Sequence, residues 1–105
     1  MKRVAVLGST GSIGRQAVEV IRANSGALSV HSLVCNRNVD LLAAQSREFP
    51  GAVCGVLDPA GSVPAGFLQG AGVTEKAVEG CDIVLNAFTG FAGLRASLLA
   101  ARLGI

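Results

Sequence analysis

Hydrophobic residues along the chain form short apolar runs that alternate with longer segments of helical spacing. The run Val4–Leu7 is apolar throughout and ends at Gly8, as in a strand buried on both faces of a parallel sheet. From Ser12 to about Asn24, apolar positions recur every three or four residues with charged positions between them, which predicts an amphipathic helix. The pattern therefore predicts a strand, a glycine-bearing turn and a helix in that order.

The same alternation continues along the chain. Residues 28–35 predict a second strand, and Asn38 is suited to cap a second helix that reaches about Glu48. The Gly- and Pro-rich stretch 58–72 predicts a loop with a short helical turn. The other predicted elements are a third strand at Ala52–Leu57, weakened by Gly55 inside it, one or two helical turns at Thr74–Glu79, a strand at Cys81–Asn86, and a helix from Leu94 through Leu103.

Strand and helix alternate over all 105 residues, which predicts an α/β fold with a doubly wound parallel sheet. A chain of this length makes one domain, residues 1–105. The last predicted helix ends where another strand would enter the sheet. We therefore expect an incomplete sheet and a piece of a longer protein.

The segment between the first strand and the first helix carries glycines at three-residue intervals: Gly8, Gly11 and Gly14. A strand before and a helix after are the context that a dinucleotide-binding loop requires. Gly8 would turn the chain, Gly11 would let a pyrophosphate approach the backbone, and Gly14 would let the helix lie close to the sheet. N–H groups near Ser12 and Ile13 would face the phosphates. Hydroxyl donors are expected from Ser9, Thr10 and Ser12. A Rossmann-like NAD(P)-binding domain is the prediction, and a glycine-rich turn that binds nothing is the alternative.

The end of the second strand distinguishes NADP from NAD. NAD-binding domains place an acidic residue there, about 20 residues beyond the loop, to hold the ribose 2′-hydroxyl. Here the strand runs into Cys35 and then Asn36-Arg37-Asn38. A guanidinium at Arg37 suits a 2′-phosphate, with Asn36 and Asn38 beside it, so the sequence favours NADPH. Two alternatives stay open: Arg37 is an exposed loop cation, or Asp40 holds the ribose and weakens the preference.

Composition and charge exclude several other classes. The net charge is +2, the nine Lys and Arg form no cluster, and Trp and Tyr are absent, so we expect no nucleic-acid partner. No apolar run approaches the roughly 18 residues of a membrane span, and glycines interrupt the first run too early for a signal peptide, so a cytoplasmic location is expected. The three cysteines form no C-x-x-C pair and suggest neither a disulfide framework nor zinc.

No catalytic or metal-binding residue is predicted within the chain. His31 lies in the middle of a predicted strand, where a core or edge residue is the more usual role. Asp58 and Asp82 are isolated at strand ends and make no metal cluster, and Glu75 and Glu79 suggest a solvated helix face. Asn86, with Thr89 and Gly90, lies where the nicotinamide side of a ligand would be expected, or it merely closes a turn.

Three blocks of the sequence together resemble one enzyme family: residues 6–14, residues 33–39 and residues 86–94. They are similar, in order and over the whole length, to the N-terminal domain of 1-deoxy-D-xylulose 5-phosphate reductoisomerase. The first block is the most specific, because the family carries L-G-S-T-G-S-I-G in the same place. By this resemblance, NADPH would be bound by Thr10, Gly11, Ser12, Ile13, Asn36, Arg37 and Asn38.

The resemblance also implies properties of a whole enzyme. Members isomerise 1-deoxy-D-xylulose 5-phosphate and reduce the product with NADPH to 2-C-methyl-D-erythritol 4-phosphate, in non-mevalonate isoprenoid biosynthesis. A divalent metal, Mg or Mn, the phosphorylated sugar site and a homodimer belong to the full-length enzyme, with ligands beyond residue 105. This piece alone is expected to be inactive. The alternatives are another NADP-dependent Rossmann oxidoreductase and a non-catalytic dinucleotide-sensing module.

Overall fold

A computed structural model describes residues 1–88 of the chain. Five strands and three helices follow one another in it: β1 Lys2–Leu7, α1 Ser12–Ala23, β2 Leu28–Cys35, α2 Val39–Glu48, β3 Val53–Val56, β4 Leu68–Gln69, α3 Val73–Val78 and β5 Ile83–Asn86. The helix predicted from Leu94 and the turn residues Thr89 and Gly90 lie outside the described residues.

The strands form one parallel sheet in the order β4-β3-β2-β1-β5. The chain therefore builds outward from β1 on one side and returns to the other side of β1 with β5. Val6 of β1, which lies between β2 and β5, is aligned with Leu33 on one side and Leu85 on the other. This arrangement confirms the predicted α/β fold with a parallel sheet.

Helices cover both faces of the sheet because strand residues alternate in direction. On one face, Val4 and Val6 of β1 belong to the same core cluster as Val18 and Ile21 of α1 and Leu42 of α2. On the other face, the intervening β1 residues Ala5 and Leu7 form a cluster with Val34 and with α3, through Val73, Ala77 and Val78. Two cores on opposite faces are the packing of a doubly wound sheet.

The prediction of a loop for residues 58–72 was wrong at one point. Leu68–Gln69 forms the short strand β4, with Leu68 aligned with Gly55 and Gln69 with Val56 of β3. Gly55, which weakened the prediction of β3, is buried against Val73 of α3. A Cβ on Gly55 would lie 2.4 Å from Cγ1 of Val73, so the glycine makes room for the helix.

Polar contacts join elements at the end of the sheet opposite the glycine-rich loop. The Arg22 guanidinium donates to both carboxylate oxygens of Glu48, linking the last turns of α1 and α2. These hydrogen bonds hold the pKa of Glu48 below its ordinary value.

Within residues 1–88, no helix is long and apolar enough to cross a bilayer.

Candidate functional site

The glycine-rich loop lies at the point where the strand order reverses. It leaves the carboxyl end of β1, between the carboxyl ends of β2 and β5. A cleft of about 250 Å³ opens there, lined by Gly8, Thr10, Gly11, Ser12, Ile13, Asn36, Ala87 and Phe88. Open α/β sheets bind ligands in the crevice at such a switch point. The structure therefore brings Asn36 to the loop, and adds Ala87 and Phe88, which the sequence did not identify as lining residues.

Gly8 and Gly14 are required by close backbone contacts. Gly8 has φ +87°, and a Cβ there would lie 2.8 Å from the carbonyl carbon of Ala87. A Cβ on Gly14 would lie 1.9 Å from the Gly8 carbonyl oxygen. The first glycine therefore lets the loop pass beside the end of β5, and the second lets α1 start directly against the loop.

Gly11 leaves the start of α1 open toward the cleft. It is the N-cap residue of α1 and, having no side chain, makes no capping hydrogen bond. The first turn of the helix contains no acidic residue. The first N–H groups of a helix lack partners inside the helix, and their dipoles favour an anion. Gly11 is exposed, and beyond its chain neighbours a Cβ there would meet only the Gly8 oxygen, at 3.6 Å, so the space beside the helix start is open.

Ser9 is turned away from the cleft, which corrects the expectation that its hydroxyl meets a phosphate. Its side chain is fully buried, and Oγ donates to Oε1 of Gln45 over 2.9 Å. In return, Nε2 of Gln45 donates to the Ser9 carbonyl oxygen over 2.8 Å. Thr10 and Ser12 remain as the hydroxyl groups that line the cleft.

Gln45 is a residue that the sequence analysis missed. It lies three residues after Leu42 and is itself buried, with 8% of its surface exposed, on the core-facing side of α2. A polar residue at an apolar position of an amphipathic helix was the available signal, because a buried amide needs hydrogen-bond partners.

The turn after β2 presents Asn36, Arg37 and Asn38, all of them exposed. Asn36 lines the cleft, whereas Asn38 caps α2 by accepting a hydrogen bond from the Leu41 N–H over 3.2 Å. Nε of Arg37 lies 3.4 Å from Oδ2 of Asp58, and both side chains are about two-thirds exposed, 64% and 66%. The Asp58 N–H donates to the Asn36 carbonyl oxygen, so the ends of β2 and β3 are joined beside this pair.

The interpretation of two aspartates as isolated was wrong. Asp58 is paired with Arg37, and Asp82 accepts hydrogen bonds from N and Nε of Arg3, the shorter being 2.8 Å. The Arg3 contacts lower the pKa of Asp82 below its ordinary value. Asp40, the other candidate acid, lies exposed in the first turn of α2. The carboxylate that meets Arg37 is thus that of Asp58.

Other candidate groups have structural roles. Nε2 of His31 lies 2.6 Å from the carbonyl oxygen of Glu79, so the imidazole of this β2 residue has a backbone partner beyond the end of α3. Oδ1 of Asn86 accepts from the Phe88 N–H over 3.2 Å and so closes the turn after β5. In the part of the chain that the structure describes, no group of three metal-ligating side chains occurs.

The cysteines are free thiols without the environment of a nucleophile. Cys35, immediately before the Asn36 turn, is fully buried, and burial raises its pKa to about 11. Burial also raises the pKa of Cys54 and of the half-buried Cys81. Because the thiolate is the reactive form, burial makes these three thiols less reactive than a solvent-exposed cysteine at neutral pH.

A second, larger cleft of about 480 Å³ lies at the opposite end of the sheet. It is lined by the start of β2, the segment before β3 and the ends of α1 and α2, including Leu28, Val30, Phe49 and Ala52. Ligands of open α/β sheets bind beyond the carboxyl ends of the strands, so volume does not identify the site here. The smaller cleft beside the glycine-rich loop is the candidate site.

Comparison with known proteins agrees with the resemblance seen in the sequence. Residues 4–105 match the profile of the family described as 1-deoxy-D-xylulose 5-phosphate reductoisomerase. The enzyme of that name from Cupriavidus metallidurans is 42% identical to this chain over 99% of the chain's length. The one from Bacteroides fragilis strain YCH46 is 39% identical over 98%. The chain spans 30% and 29% of these two relatives.

Solved structures show the same similarity in three dimensions. The reductoisomerase from Zymomonas mobilis in complex with NADPH aligns over 98% of this chain and 30% of its own, with a TM-score of 0.83 and 35% identity. A DOX-P reductoisomerase in complex with magnesium aligns over 96% of this chain and 28% of its own, with a TM-score of 0.84 and 28% identity.

Proposed function

The chain belongs to the 1-deoxy-D-xylulose 5-phosphate reductoisomerase family, and we propose that residues 1–105 form the NADPH-binding domain of such an enzyme. The observation that carries the proposal is the cleft at the switch point of the sheet, where an open helix N-terminus and a glycine-rich loop meet Asn36. A similar structure was solved with NADPH. Family membership sets aside the alternative of an unrelated NADP-dependent Rossmann oxidoreductase.

In this proposal the loop binds the pyrophosphate. Backbone N–H groups of Ser12 and Ile13 donate to the phosphate oxygens, and the hydroxyl groups of Thr10 and Ser12 add further donors. Gly11 permits the approach, because nothing but the Gly8 oxygen lies within 4 Å of its Cβ position. Gly8 and Gly14 contribute by holding the loop against β5 and α1.

The turn after β2 binds the adenosine end and selects NADPH. Arg37 supplies a permanent cation with a planar donor fork for the 2′-phosphate, flanked by Asn36 and Asn38. No acidic residue stands at the end of β2 to take the 2′-hydroxyl of NADH. The Arg37 side chain is exposed, and its contact with Asp58 is made through Nε.

The remaining properties are proposed for the whole enzyme. It would isomerise and reduce 1-deoxy-D-xylulose 5-phosphate with a divalent metal, and it would act as a homodimer. Residues 1–88 do not fit the metal, because they contain no cluster of three ligating side chains. Three free cysteines fit a reducing compartment, which supports a cytoplasmic location.

Titration of the 105-residue chain with NADPH tests the proposal at the site itself. We expect saturable binding to the wild type and a loss of at least about tenfold in Gly11→Ala, because a methyl group would obstruct the phosphate approach. The matched control is Gly26→Ala, since nothing lies within 4 Å of its Cβ position in the turn after α1. Undiminished binding by Gly11→Ala, or an equal loss in both variants, would contradict the assignment of the loop.

A further inference from the structure

A buried amide lies directly beneath the proposed pyrophosphate loop. Gln45 of α2 makes two hydrogen bonds to Ser9, accepting from Oγ over 2.9 Å and donating to the carbonyl oxygen over 2.8 Å. Both residues are buried, Ser9 completely. The Ser9 N–H also donates to the carbonyl oxygen of Val34, over 3.0 Å. Ser9 is thus held at its N–H, its hydroxyl and its carbonyl, two of the three by one side chain.

The bond to the Ser9 carbonyl has a consequence for the next peptide N–H. Ser9 C=O and Thr10 N–H belong to the same peptide plane, and the described residues contain no cis peptide bond. In a planar trans peptide the C=O and N–H point in opposite directions. Because Nε2 of Gln45 holds the Ser9 oxygen toward the core, the Thr10 N–H points away from the core. Thr10 itself lines the cleft.

We propose that Gln45 is a positioning residue for dinucleotide binding, which orients the Ser9–Thr10 peptide so that the Thr10 N–H serves the pyrophosphate. The inference rests on the proposed NADPH function and extends it to a residue outside the cleft. Gln45 acts through Ser9 and does not line the cleft. Since α2 begins directly after the Arg37 turn, the same helix links the two halves of the site.

Two ligands separate positioning of the loop from general loss of structure. NADPH uses both the loop and the Arg37 turn, whereas adenosine 2′-monophosphate has no pyrophosphate and uses the turn. We expect Gln45→Leu to raise the Kd for NADPH about tenfold or more, because it removes both hydrogen bonds that the Gln45 amide makes to Ser9. The Kd for adenosine 2′-monophosphate should stay within about twofold of the wild-type value.

Two further variants show how the loss of NADPH affinity depends on the hydrogen bonds that are removed. Ser9→Ala removes the hydroxyl but keeps the bond from Nε2 to the carbonyl oxygen, so its NADPH affinity should fall less than that of Gln45→Leu. Ser46→Ala is the matched control, because the Ser46 hydroxyl donates to Ala43 O within the same helix, over 2.7 Å. Its NADPH affinity should equal that of the wild type.

The pH dependence of NADPH binding by Gln45→Glu is a second test of the proposal. It can refute the positioning role even if Gln45→Leu does not fold. An ionised carboxylate still accepts from the Ser9 hydroxyl but cannot donate to the Ser9 oxygen, whereas the protonated acid does both. The ratio of its NADPH Kd to that of the wild type should therefore fall as the pH is lowered from about 8 to about 6, as burial favours the protonated form.

The outcomes distinguish this inference from the proposed function. The positioning role would be overturned if Gln45→Leu bound NADPH with wild-type affinity, or if it lost affinity equally for both ligands. In either case the proposed binding of NADPH by the wild type would stand. A Kd ratio for Gln45→Glu that does not change with pH would also overturn it. Absence of NADPH binding by the wild type would instead overturn the proposed function and this inference with it.

Discussion

The Gly14→Ala variant places a methyl group at the closest backbone contact of the proposed site. An ideal Cβ there would lie 1.9 Å from the Gly8 oxygen, 2.7 Å from the Gly8 carbonyl carbon and 2.8 Å from Ser9 Cα. All three are main-chain atoms, so no side-chain rotation makes room, and reaching an ordinary contact of about 3.5 Å requires a shift of about 1.5 Å. Overpacking costs about 1–3 kcal/mol, and because main-chain atoms must move here we take the upper part of that range, about 2–3 kcal/mol. The better helix propensity of alanine offsets about 1 kcal/mol of this cost.

We therefore expect Gly14→Ala to lose about 1–2 kcal/mol of unfolding free energy, with a fall in Tm of at least about 4 °C. Thermal and urea unfolding followed by circular dichroism measure both quantities. The matched control is Gly26→Ala, which has no atom within 4 Å of its Cβ position and should stay within about 0.5 kcal/mol of the wild type. A Gly14→Ala protein as stable as the wild type, or more stable, would refute the close-contact argument.

Three further variants test charges and thiols. Arg37→Ala should raise the Kd for NADPH about tenfold or more and leave that for NADH within about twofold; equal losses in calorimetric titrations would contradict the 2′-phosphate role. Asp58→Asn should tighten NADPH binding about two- to fivefold at low salt, because the carboxylate no longer competes for Arg37, and unchanged affinity would show that the pair is inert. The Cys35 thiol stays protonated in the folded protein, since burial raises its pKa from 9.0 to about 11. Stability should accordingly fall as the pH rises through this range, and urea unfolding of Cys35→Ala at about pH 8 and pH 10 should show a smaller decline than the wild type.

Periodicity predicted the elements that pack against one another along their length. The second strand was expected at residues 28–35, and β2 spans Leu28–Cys35. Asn38 was expected to cap α2, and its side chain accepts from the Leu41 N–H. These signals are local, because a strand or helix that buries one face must repeat its apolar positions with the matching period. The order of these helices and strands could therefore be predicted from the sequence.

Contacts between segments that are distant in the sequence could not be predicted from such local patterns. β4 has only two residues, too few for a period, and it exists through its pairing with Gly55 and Val56. Asp58 reaches Arg37 because β3 pairs with β2, and nothing in the spacing of the two residues indicates a contact. Gln45 carried a weak signal, a polar residue on an apolar face, but its partner Ser9 depends on how α2 packs under the loop.

The most direct test of the NADPH assignment is a pair of calorimetric titrations of the chain, one with NADPH and one with NADH, at matched salt. The account predicts saturable binding of NADPH and an affinity for NADH lower by about tenfold or more, since only NADPH offers Arg37 a 2′-phosphate. Equal affinities would contradict the role of Arg37. Binding of neither dinucleotide would contradict the central claim that the cleft beside Gly11 is a cofactor site.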